Sequence, residues 1–441
     1  TLCLLILFGL FFFFIYKLIT NFVKYRQRMK HQESLVEEID SLNNEVIKLK
    51  SENEKFLNMT DPNTGEIEYD EEGNVINKLS EGESRFFKLT RVDNMMQTYE
   101  PKVYAEVTSL ESLCQDFLNY SASKLGLYYD IALIRLYVAA FASSRLIILQ
   151  GISGTGKTSL AYAWGNFVNN NTVIAPVQPS WRDSSELFGY FNEFTKRFNE
   201  TEVLTKMYEA KYIDNVYTTL LDEMNISRVE YYFAEMLSIL ELPSSNDWVI
   251  DLVPNTWDND PKLIENGRLK IPINMWYVGT INNDDSTFMI TDKVYDRAMP
   301  INIDEKIPPF EAPITESINL SSKNFIDLLS KSREEHPVSE ETLNKVAEMD
   351  DYVISHFRIA FGNRIVKQLR DFIPAYVACG GEEMVAVDYL IAHKILRKFD
   401  QLNLSYIRNE IDGFITFLNQ TFGQDVMKEC IIYLERLKKT I

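Results

Sequence analysis

The first apolar segment of the chain is an uncharged run that covers residues 2–16. A membrane-spanning helix needs about 20 such residues, and a few more upstream of Thr1 would complete it. Basic residues follow directly, at Lys17, Lys24, Arg26, Arg28 and Lys30. Because positive charge favours the cytoplasmic side, the pattern predicts a membrane anchor at residues 1–18, with the remaining chain in the cytoplasm. A secretory signal peptide is the alternative, but no small-residue cleavage site follows the run.

Apolar residues then recur at heptad spacing. One core position is taken by Leu35, Leu42, Leu49 and Phe56, and the other by Ile39, Val46 and Asn53. The alternating steps of four and three are those of a coiled-coil seam. The pattern therefore predicts a coiled-coil stalk at residues 19–58. A single amphipathic helix packed on its own domain is the alternative.

Acidic residues dominate the segment that follows, residues 59–84. Its eight carboxylates accompany a single lysine, Lys78. Turn-forming residues occur at 61–65 and 72–74, where proline, glycine, asparagine and aspartate favour chain reversal. Because few apolar residues separate these turns, the composition predicts a solvated acidic linker or a small hairpin.

The pattern changes again at residue 85. Up to residue 143 the apolar residues recur at intervals of three and four, which predicts helices. Short apolar runs typical of buried strands then appear at residues 146–150, 173–177, 217–221 and 275–279. Helical segments separate them, and this alternation predicts an α/β core with a parallel sheet at residues 144–310. The helical pattern beyond residue 320 predicts an all-α lid, or C-terminal domain, at residues 311–441.

Composition adds little to this picture. Of the 441 residues, 46% are hydrophobic and 25% are charged, as in ordinary globular proteins. The net charge of −19 argues against sequence-independent binding of nucleic-acid phosphates across the whole surface, although it leaves a local basic groove open. The four cysteines and four histidines lie far apart without metal-ligand spacing. They predict no metal site, and the cysteines are expected to be reduced thiols in a cytosolic body.

The strongest chemical signal follows the strand predicted at residues 146–150. Residues 151–158 read Gly-Ile-Ser-Gly-Thr-Gly-Lys-Thr, which fits the phosphate-loop pattern G-x-x-x-x-G-K-[ST]. Small residues allow backbone N–H groups to surround phosphate oxygens, and the following helix directs its N-terminus at the same charge. Lys157 is expected at the β- and γ-phosphates and the Thr158 hydroxyl on Mg²⁺. The residues predicted to bind the nucleotide here are Gly151, Ser153, Gly154, Thr155, Gly156, Lys157, Thr158 and Ser159.

Two acids, Asp222 and Glu223, follow the apolar strand predicted at residues 217–221. In open α/β sheets, ligands bind at the carboxyl ends of the strands. Asp222 is therefore expected to bind Mg²⁺ together with Thr158, and Glu223 to act as the general base that polarises the attacking water. A surface Asp-Glu pair at a strand end is the alternative.

With these motifs the sequence resembles the AAA+ superfamily, in particular the group of the McrB motor subunit and the dynein-related ATPases. The resemblance covers about residues 140–370 and depends on four segments in order. They are the phosphate loop, Leu221-Asp222-Glu223-Met224-Asn225, Gly279-Thr280-Ile281-Asn282-Asn283-Asp284-Asp285, and Asp296-Arg297. The resemblance implies a P-loop NTPase fold with a parallel-sheet core and a C-terminal helical lid.

The resemblance also implies roles for single residues. Asn282 matches the sensor 1 position that orients the attacking water, and Asp285 matches the acidic member of the Asn-x-x-Asp string. Arg297 falls where the family places an arginine finger that acts on the neighbouring subunit's nucleotide. The family carries a run of arginines there, whereas this chain has Asp296-Arg297-Ala298, and a helix-end arginine paired with Asp296 is the alternative. Arg364 resembles a sensor 2 arginine that contacts the nucleotide from the lid, with a structural salt bridge as the alternative.

The expected function is therefore an oligomeric NTPase, a hexamer by family resemblance, that remodels a protein or nucleic-acid partner. ATP is the default nucleotide of the superfamily, and the McrB resemblance makes GTP the alternative. Two other functions stay open. One is a nucleotide-gated scaffold or switch with slow hydrolysis, and the other is the motor of a nucleic-acid defence system that works with a separate nuclease or effector subunit.

Overall fold

A computed structural model describes residues 68–69, 75–76, 82–282, 287–402 and 404–439. The chain divides into two units, residues 1–80 and residues 81–441. In the first unit, strands β1 (Glu68–Tyr69) and β2 (Val75–Ile76) pair antiparallel. This pair lies within the acidic segment for which the sequence predicts a linker or small hairpin. The predicted anchor at residues 1–18 and coiled coil at residues 19–58 lie outside the described residues.

The localisation predicted from the sequence requires correction. None of the helices in the described ranges combines the length and the hydrophobicity that a membrane span requires. The structure therefore does not support the prediction of a membrane-anchored protein. The apolar run on which that prediction depended belongs to residues 1–18, outside those ranges.

The second unit is built around a five-stranded sheet. Its strands and those of the smaller sheets are β3 (Leu146–Gln150), β4 (Val173–Pro176), β5 (Gly189–Asn192), β6 (Arg197–Glu200), β7 (Tyr217–Asp222), β8 (Val249–Asp251), β9 (Ile264–Glu265), β10 (Arg268–Lys270), β11 (Met275–Thr280) and β12 (Ala298–Asn302). The large sheet has the order β12-β3-β11-β7-β4, and every pair in it is parallel. The predicted α/β class with a parallel sheet is therefore confirmed.

Helices fill the intervals between the strands and the rest of the unit. They are α1 (Phe87–Met96), α2 (Leu110–Leu125), α3 (Ile131–Ser143), α4 (Lys157–Phe167), α5 (Ser185–Phe188), α6 (Glu202–Glu209), α7 (Val229–Tyr232), α8 (Ala234–Ile239), α9 (Asp292–Tyr295), α10 (Ser322–Glu335), α11 (Glu340–Phe357), α12 (Gly362–Ala378), α13 (Glu383–Lys394), α14 (Leu404–Phe422) and α15 (Lys428–Lys439). Short 3-10 segments cover Met224–Ile226, Ser245–Asp247 and Leu396–Gln401.

The three central strands β3, β11 and β7 are buried on both faces, which explains why they read as largely apolar runs. In β3, Ile147 and Leu149 join the core formed with α2, α3, α4 and the C-terminal helices. Leu146 and Ile148 join the core on the other face, with α1, α6 and α8. This alternation follows from the two-residue period of a strand. The sheet is thus covered by helices on both sides.

The strand order determines which chain segments meet. β3 lies between β12 and β11, and β11 lies between β3 and β7. We call the ends of the strands at Gln150, Asp222 and Thr280 the carboxyl edge. The opposite ends, which begin at Leu146, Tyr217, Met275 and Ala298, form the amino edge. Since all five strands are parallel, a segment that precedes a strand and one that follows it lie at opposite edges.

The edge strand β12 was not predicted from the sequence. It contains Pro300, which lacks a backbone N–H and suits only an edge or bulge of a sheet. The outer side of β12 is covered by α13, because the Tyr389 hydroxyl accepts a hydrogen bond from the Asn302 backbone N–H at 2.9 Å. The β5–β6 hairpin and the antiparallel sheet β8-β10-β9 were not predicted either. Their strands are too short for a clear alternation.

The helical C-terminal part packs back onto the sheet through α12 and α13. α12 lies against α3, the helix that leads into β3. From α13, the buried Lys394 donates hydrogen bonds from Nζ to the carbonyl oxygens of Tyr295 and Ala298. This lysine therefore ties the C-terminal helices to the segment that enters β12 at the amino edge.

Candidate nucleotide site

The glycine-rich loop, residues 151–156, joins the carboxyl end of β3 to the first turn of α4. Its glycines have positive φ angles of 133° at Gly151, 77° at Gly154 and 94° at Gly156, which other residues rarely adopt. A Cβ atom at Gly151 would lie 2.4 Å from the carbonyl oxygen of Ile303. The loop therefore requires glycine for its tight path, which can bring successive N–H groups around an anion.

Lys157 begins α4 and lies within the curve of the loop. Its side chain is buried, and Nζ donates hydrogen bonds to the carbonyl oxygens of Gly151 at 3.0 Å and Ile152 at 2.8 Å. Thr155 Oγ1 donates to the same Ile152 oxygen at 2.9 Å. The other residues predicted for this site lie on the loop or the first helical turn: Ser153, Gly154, Gly156, Thr158 and Ser159. The N-terminus of an 11-residue helix adds a partial positive charge at this point.

Asp222 ends β7 at the carboxyl edge, beside the glycine-rich loop. Its Oδ1 accepts hydrogen bonds from the hydroxyl groups of Thr158 and Thr280, each at 2.8 Å. Thr158 belongs to the first turn of α4, and Thr280 is the last residue of β11. Three separate elements therefore converge on one carboxylate oxygen. The contact brings together the two residues predicted as Mg²⁺ ligands, Thr158 and Asp222.

Glu223 adopts a left-handed backbone conformation, with φ 52° and ψ 46°, which is uncommon for a residue with a Cβ. Its backbone N–H donates to Thr280 Oγ1 at 2.8 Å, and its side chain is exposed. The next residue, Met224, is buried against Gly279, where a Cβ atom would lie 1.9 Å from the Met224 Sδ. Gly279 therefore permits the tight turn that buries Met224 and leaves Glu223 exposed.

Asn225 links this turn to the end of β11. Its side chain is buried, and Nδ2 donates to the carbonyl oxygen of Asn282 at 2.9 Å. The Thr287 hydroxyl donates to the same oxygen at 3.0 Å. The backbone of Asn282, the predicted sensor 1 residue, is thereby held at the carboxyl edge. Asp285 lies outside the described residues.

Arg297 immediately precedes β12 and so lies at the amino edge. Its Nε is 2.7 Å from Oε2 of Glu241, and Nη2 of Arg364 is 2.5 Å from Oε1 of the same glutamate. Asp296, the alternative partner suggested by the sequence, instead contacts Lys398 at 2.9 Å. Glu241 thus joins Arg297 and Arg364. The length of β3, roughly 15 Å, separates this group from the glycine-rich loop.

Three further side chains near the loop were not assigned a role from the sequence. The Tyr129 hydroxyl donates to the carbonyl oxygen of Gly156 at 3.2 Å, and burial raises the pKa of this tyrosine. Lys306 Nζ lies 3.7 Å from the position that a Cβ of Gly154 would occupy. Both residues come from segments distant in sequence, so no local motif reveals them. Thr280 could have been recognised from the sequence, because this hydroxyl residue ends the predicted strand that becomes β11, just as Asp222 ends β7.

Metal binding at this edge would depend on few protein ligands. Among residues 82–282, 287–402 and 404–439, no group of three or more His, Cys, Asp or Glu side chains is arranged to hold a metal ion. Mg²⁺ bound with a nucleotide needs only one or two protein ligands, since phosphates and waters supply the others. The carboxylate of Asp222 and the hydroxyl of Thr158 match this requirement.

The fold and the site together define an α/β protein whose five-stranded parallel sheet is compatible with a P-loop core. No model of a known protein family matches the chain, and no curated protein matches it either.

Proposed function

We propose that the chain is an AAA+ NTPase of the McrB-like group, which binds ATP, or alternatively GTP, with Mg²⁺ and hydrolyses it. The main support for this proposal is the contact at Asp222, whose Oδ1 accepts hydrogen bonds from the hydroxyl groups of both Thr158 and Thr280 at 2.8 Å. This contact couples the helix after the glycine-rich loop to two strand ends. A phosphate-binding element and an acidic element at one sheet edge are the parts that an NTPase requires.

The glycine-rich loop suits a triphosphate for two physical reasons. Its positive-φ glycines give a concave backbone in which N–H groups can converge on phosphate oxygens, and Gly151 has no space for a side chain. The Lys157 ammonium group lies inside this curve, on the carbonyl oxygens of Gly151 and Ile152. When a nucleotide binds, we expect the ammonium group to exchange these neutral partners for the β- and γ-phosphates.

Mg²⁺ would be held by the Thr158 hydroxyl and by Asp222, the latter through the water shell of the ion. Bound there, the ion would neutralise charge on the β- and γ-phosphate oxygens. Thr280 supports this arrangement because its hydroxyl orients the Asp222 carboxylate. The three residues lie on α4, β7 and β11, so the geometry is held by rigid elements rather than by a loop.

Glu223 is the proposed general base. Its exposed carboxylate lies one residue beyond Asp222 and can accept a proton from a water molecule. The oxygen of that water then attacks the γ-phosphorus, and the bond to the β,γ-bridging oxygen breaks to release the nucleoside diphosphate. Asn282 would orient the water as a sensor 1 residue. The backbone of both residues is fixed by side chains of neighbouring elements, Thr280 and Asn225 respectively.

A ring, hexameric by family resemblance, is part of the proposal. Arg297 lies at the amino edge, about 15 Å from the glycine-rich loop of its own chain. An arginine at that distance can stabilise developing phosphate charge only on a neighbouring subunit. The ring would use hydrolysis to remodel a protein or nucleic-acid partner, alone or with a separate effector or nuclease subunit.

Phosphate release from ATP and from GTP by the full chain tests the proposal, measured over a range of protein concentrations. The wild type should turn over at least one nucleotide, with a rate per chain that rises with concentration. Glu223→Gln should lower turnover by roughly 10²–10³-fold, because it removes the base, and should retain nucleotide binding. Glu348→Gln, at an exposed glutamate of α11, is the matched control and should behave as the wild type.

The alternatives predict different results in the same experiment. Tight nucleotide binding without turnover at any concentration would contradict the NTPase and favour a nucleotide-gated switch. Equal rates for Glu223→Gln and the wild type would contradict the role of Glu223. A rate per chain that does not depend on concentration would contradict the ring while leaving hydrolysis intact.

A further inference from the structure

A cavity of about 640 Å³ lies at the carboxyl edge, beside the nucleotide site. It is bounded by the ends of β3 and β12, by the segment that follows β11, and by residues of the C-terminal helices α13 and α15. None of its described lining residues belongs to the glycine-rich loop or to the Asp222-Glu223 pair. Since cavities of this size hold small molecules, it can accept a ligand in addition to the nucleotide.

His393, on α13, contributes an unpaired nitrogen to this cavity. Its side chain is only 9% exposed, and Nε2 has no hydrogen-bond partner within the described part of the chain. Oε2 of Glu429 lies 3.9 Å away, which is too long for a hydrogen bond. Burial lowers the pKa of His393 to about 4, so the imidazole is neutral at neutral pH and can present Nε2 as an acceptor. Because an unpaired buried polar atom is unfavourable, the gap suits a ligand that donates hydrogen bonds.

The charged side chains of the cavity are only partly paired with one another. Three of them are acidic and two are basic: Asp304, Asp400, Glu429, Arg397 and Arg436. The Arg397 guanidinium group forms an ion pair with Asp292. Asp400 accepts a hydrogen bond from the Tyr433 hydroxyl at 2.6 Å. Two carboxylates therefore remain, together with one guanidinium group.

The two remaining carboxylates, Asp304 and Glu429, lie in an environment that is short of positive charge. Burial raises the pKa of Glu429, and the carboxylates of Asp388 and Asp304 act in the same direction, while Arg436 opposes them. Among the residues that the structure describes, no group of three or more His, Cys, Asp or Glu side chains is arranged to hold a metal ion. The cavity is therefore better suited to an ammonium or guanidinium group, which brings N–H donors with its charge.

Apolar side chains also line the cavity, so the ligand is not a bare cation. Ile281 and Ile290 are buried there, and Phe288 and Ile432 are partly exposed. Methylene groups that carry a charged end pack favourably along such a surface. The lining thus fits a molecule that combines cationic groups with an aliphatic stem.

We propose that this cavity binds a small organic cation, one that carries ammonium or guanidinium groups on an aliphatic stem. The cationic groups donate hydrogen bonds to Glu429, to Asp304 and to Nε2 of His393, and the stem lies along the apolar side chains. This ligand is distinct from the nucleotide. The proposal therefore goes beyond the proposed function and does not depend on hydrolysis.

Isothermal titration calorimetry of the full chain with agmatine, without nucleotide, tests this site. Agmatine carries a guanidinium group and an ammonium group on an aliphatic stem. It should bind with a dissociation constant of about 1 mM or lower. Tetramethylammonium has no N–H donor and should bind at least about tenfold more weakly. Failure of agmatine to bind the wild type would overturn the proposal.

Two substitutions in the cavity and one matched control locate the bound agmatine. Glu429→Gln should raise its dissociation constant about tenfold, and this variant should fold as the wild type because the Glu429 side chain is 52% exposed. His393→Phe keeps a ring but removes Nε2, and it should also raise the constant about tenfold. Glu435→Gln, at an exposed glutamate of the same helix α15, should leave the constant within about twofold. Equal constants for Glu429→Gln and Glu435→Gln would overturn the proposal, because agmatine would then bind elsewhere on the acidic surface.

Two further measurements separate the proposed ligand from other cations and other sites. Glu223→Gln should leave the dissociation constant for agmatine within about twofold. A tenfold rise in that variant would place agmatine at the nucleotide site and overturn the proposal. Acetyl-arginine amide presents a guanidinium group as a polypeptide does. If it binds and agmatine does not, the cavity takes a side chain of a partner protein and the small-molecule ligand is wrong.

Discussion

The two edges of the same parallel sheet are built in different ways. At the carboxyl edge, short neutral side chains hold one carboxylate, because the hydroxyl groups of Thr158 and Thr280 both donate to Asp222. At the amino edge, long charged side chains from separate segments meet in ion pairs around Glu241. The first arrangement is close to the backbone and rigid. The second depends on side chains with many rotamers, and it costs more conformational entropy to hold in place.

The two edges also differ in how fully the polar side chains at each are paired within one chain. The Asp222 contacts leave each hydroxyl with an acceptor, and the Lys157 ammonium group also has two carbonyl partners. At the amino edge, in contrast, Nη1 of Arg145 is a buried donor without an acceptor within the described part of the chain. In the described part of the chain, the side chains of Thr158, Thr280 and Lys157 at the carboxyl edge are therefore paired, whereas the amino edge retains an unpaired donor. Three substitutions test this contrast, from the largest expected effect to the smallest.

Lys157→Ala should have the largest effect, confined to nucleotide binding at the carboxyl edge. Loss of a charged hydrogen bond to phosphate costs about 2–3 kcal/mol, so the dissociation constant should rise about a hundredfold. Titration with a fluorescent nucleotide measures it directly. Arg297→Ala is the comparison at the amino edge and should leave the dissociation constant within about twofold. A hundredfold loss of affinity in both variants would mean that the two edges do not act separately.

Lys394→Met should alter the pH dependence of stability at the amino edge. Burial lowers the pKa of Lys394 to about 7, against about 10.4 in an unfolded chain. Between these values the unfolded state holds a proton that the folded state has released, so the free energy of unfolding contributed by this group rises with pH. The difference between wild type and variant should therefore grow by about 2 kcal/mol from pH 7 to pH 9.

Denaturant unfolding at several pH values measures that difference. Subtracting the variant's free energy of unfolding from that of the wild type cancels the contributions of all groups that the two proteins share. Lys331→Met, at an exposed lysine of α10, controls for the loss of a helical lysine. For this variant, the difference in the free energy of unfolding from the wild type should stay constant from pH 7 to pH 9. A constant difference between wild type and Lys394→Met from pH 7 to pH 9 would contradict a lysine that is neutral in the folded state.

The sequence predicted the carboxyl edge far better than the amino edge, for a physical reason. The glycine-rich loop and the Asp222-Glu223 pair follow continuous apolar strands, so local pattern and backbone geometry locate them together. Glu241 gave no such signal, because its contacts with Arg297 and Arg364 join three segments distant in sequence. Side-chain pairing of this kind depends on tertiary packing and cannot be derived from periodicity.

The same reason accounts for what was missed in the fold. Four strands of the sheet were predicted to within one residue at each end, since each is a mostly apolar run. β12 was not predicted, and it contains Pro300, a residue that is unfavourable in a central strand. Its place at the sheet edge makes the proline acceptable, but the strand order that puts it there is a property of the whole fold.

Thr280→Val should have the smallest effect of the three, and it tests whether the carboxyl edge depends on a single hydroxyl. The change keeps the shape of the side chain but removes the donor to Asp222 and the acceptor for the Glu223 N–H. Since a hydrogen bond of this kind contributes about 1–1.5 kcal/mol, turnover should fall about tenfold. Thr219→Val is the matched control, because Thr219 is also buried in the sheet but its hydroxyl has no partner within the described part of the chain. Turnover should be retained in Thr219→Val. Equal turnover in the two variants would mean that the Thr280 hydroxyl has only a packing role, and the convergence of α4, β7 and β11 on Asp222 would then not set the geometry of the reaction.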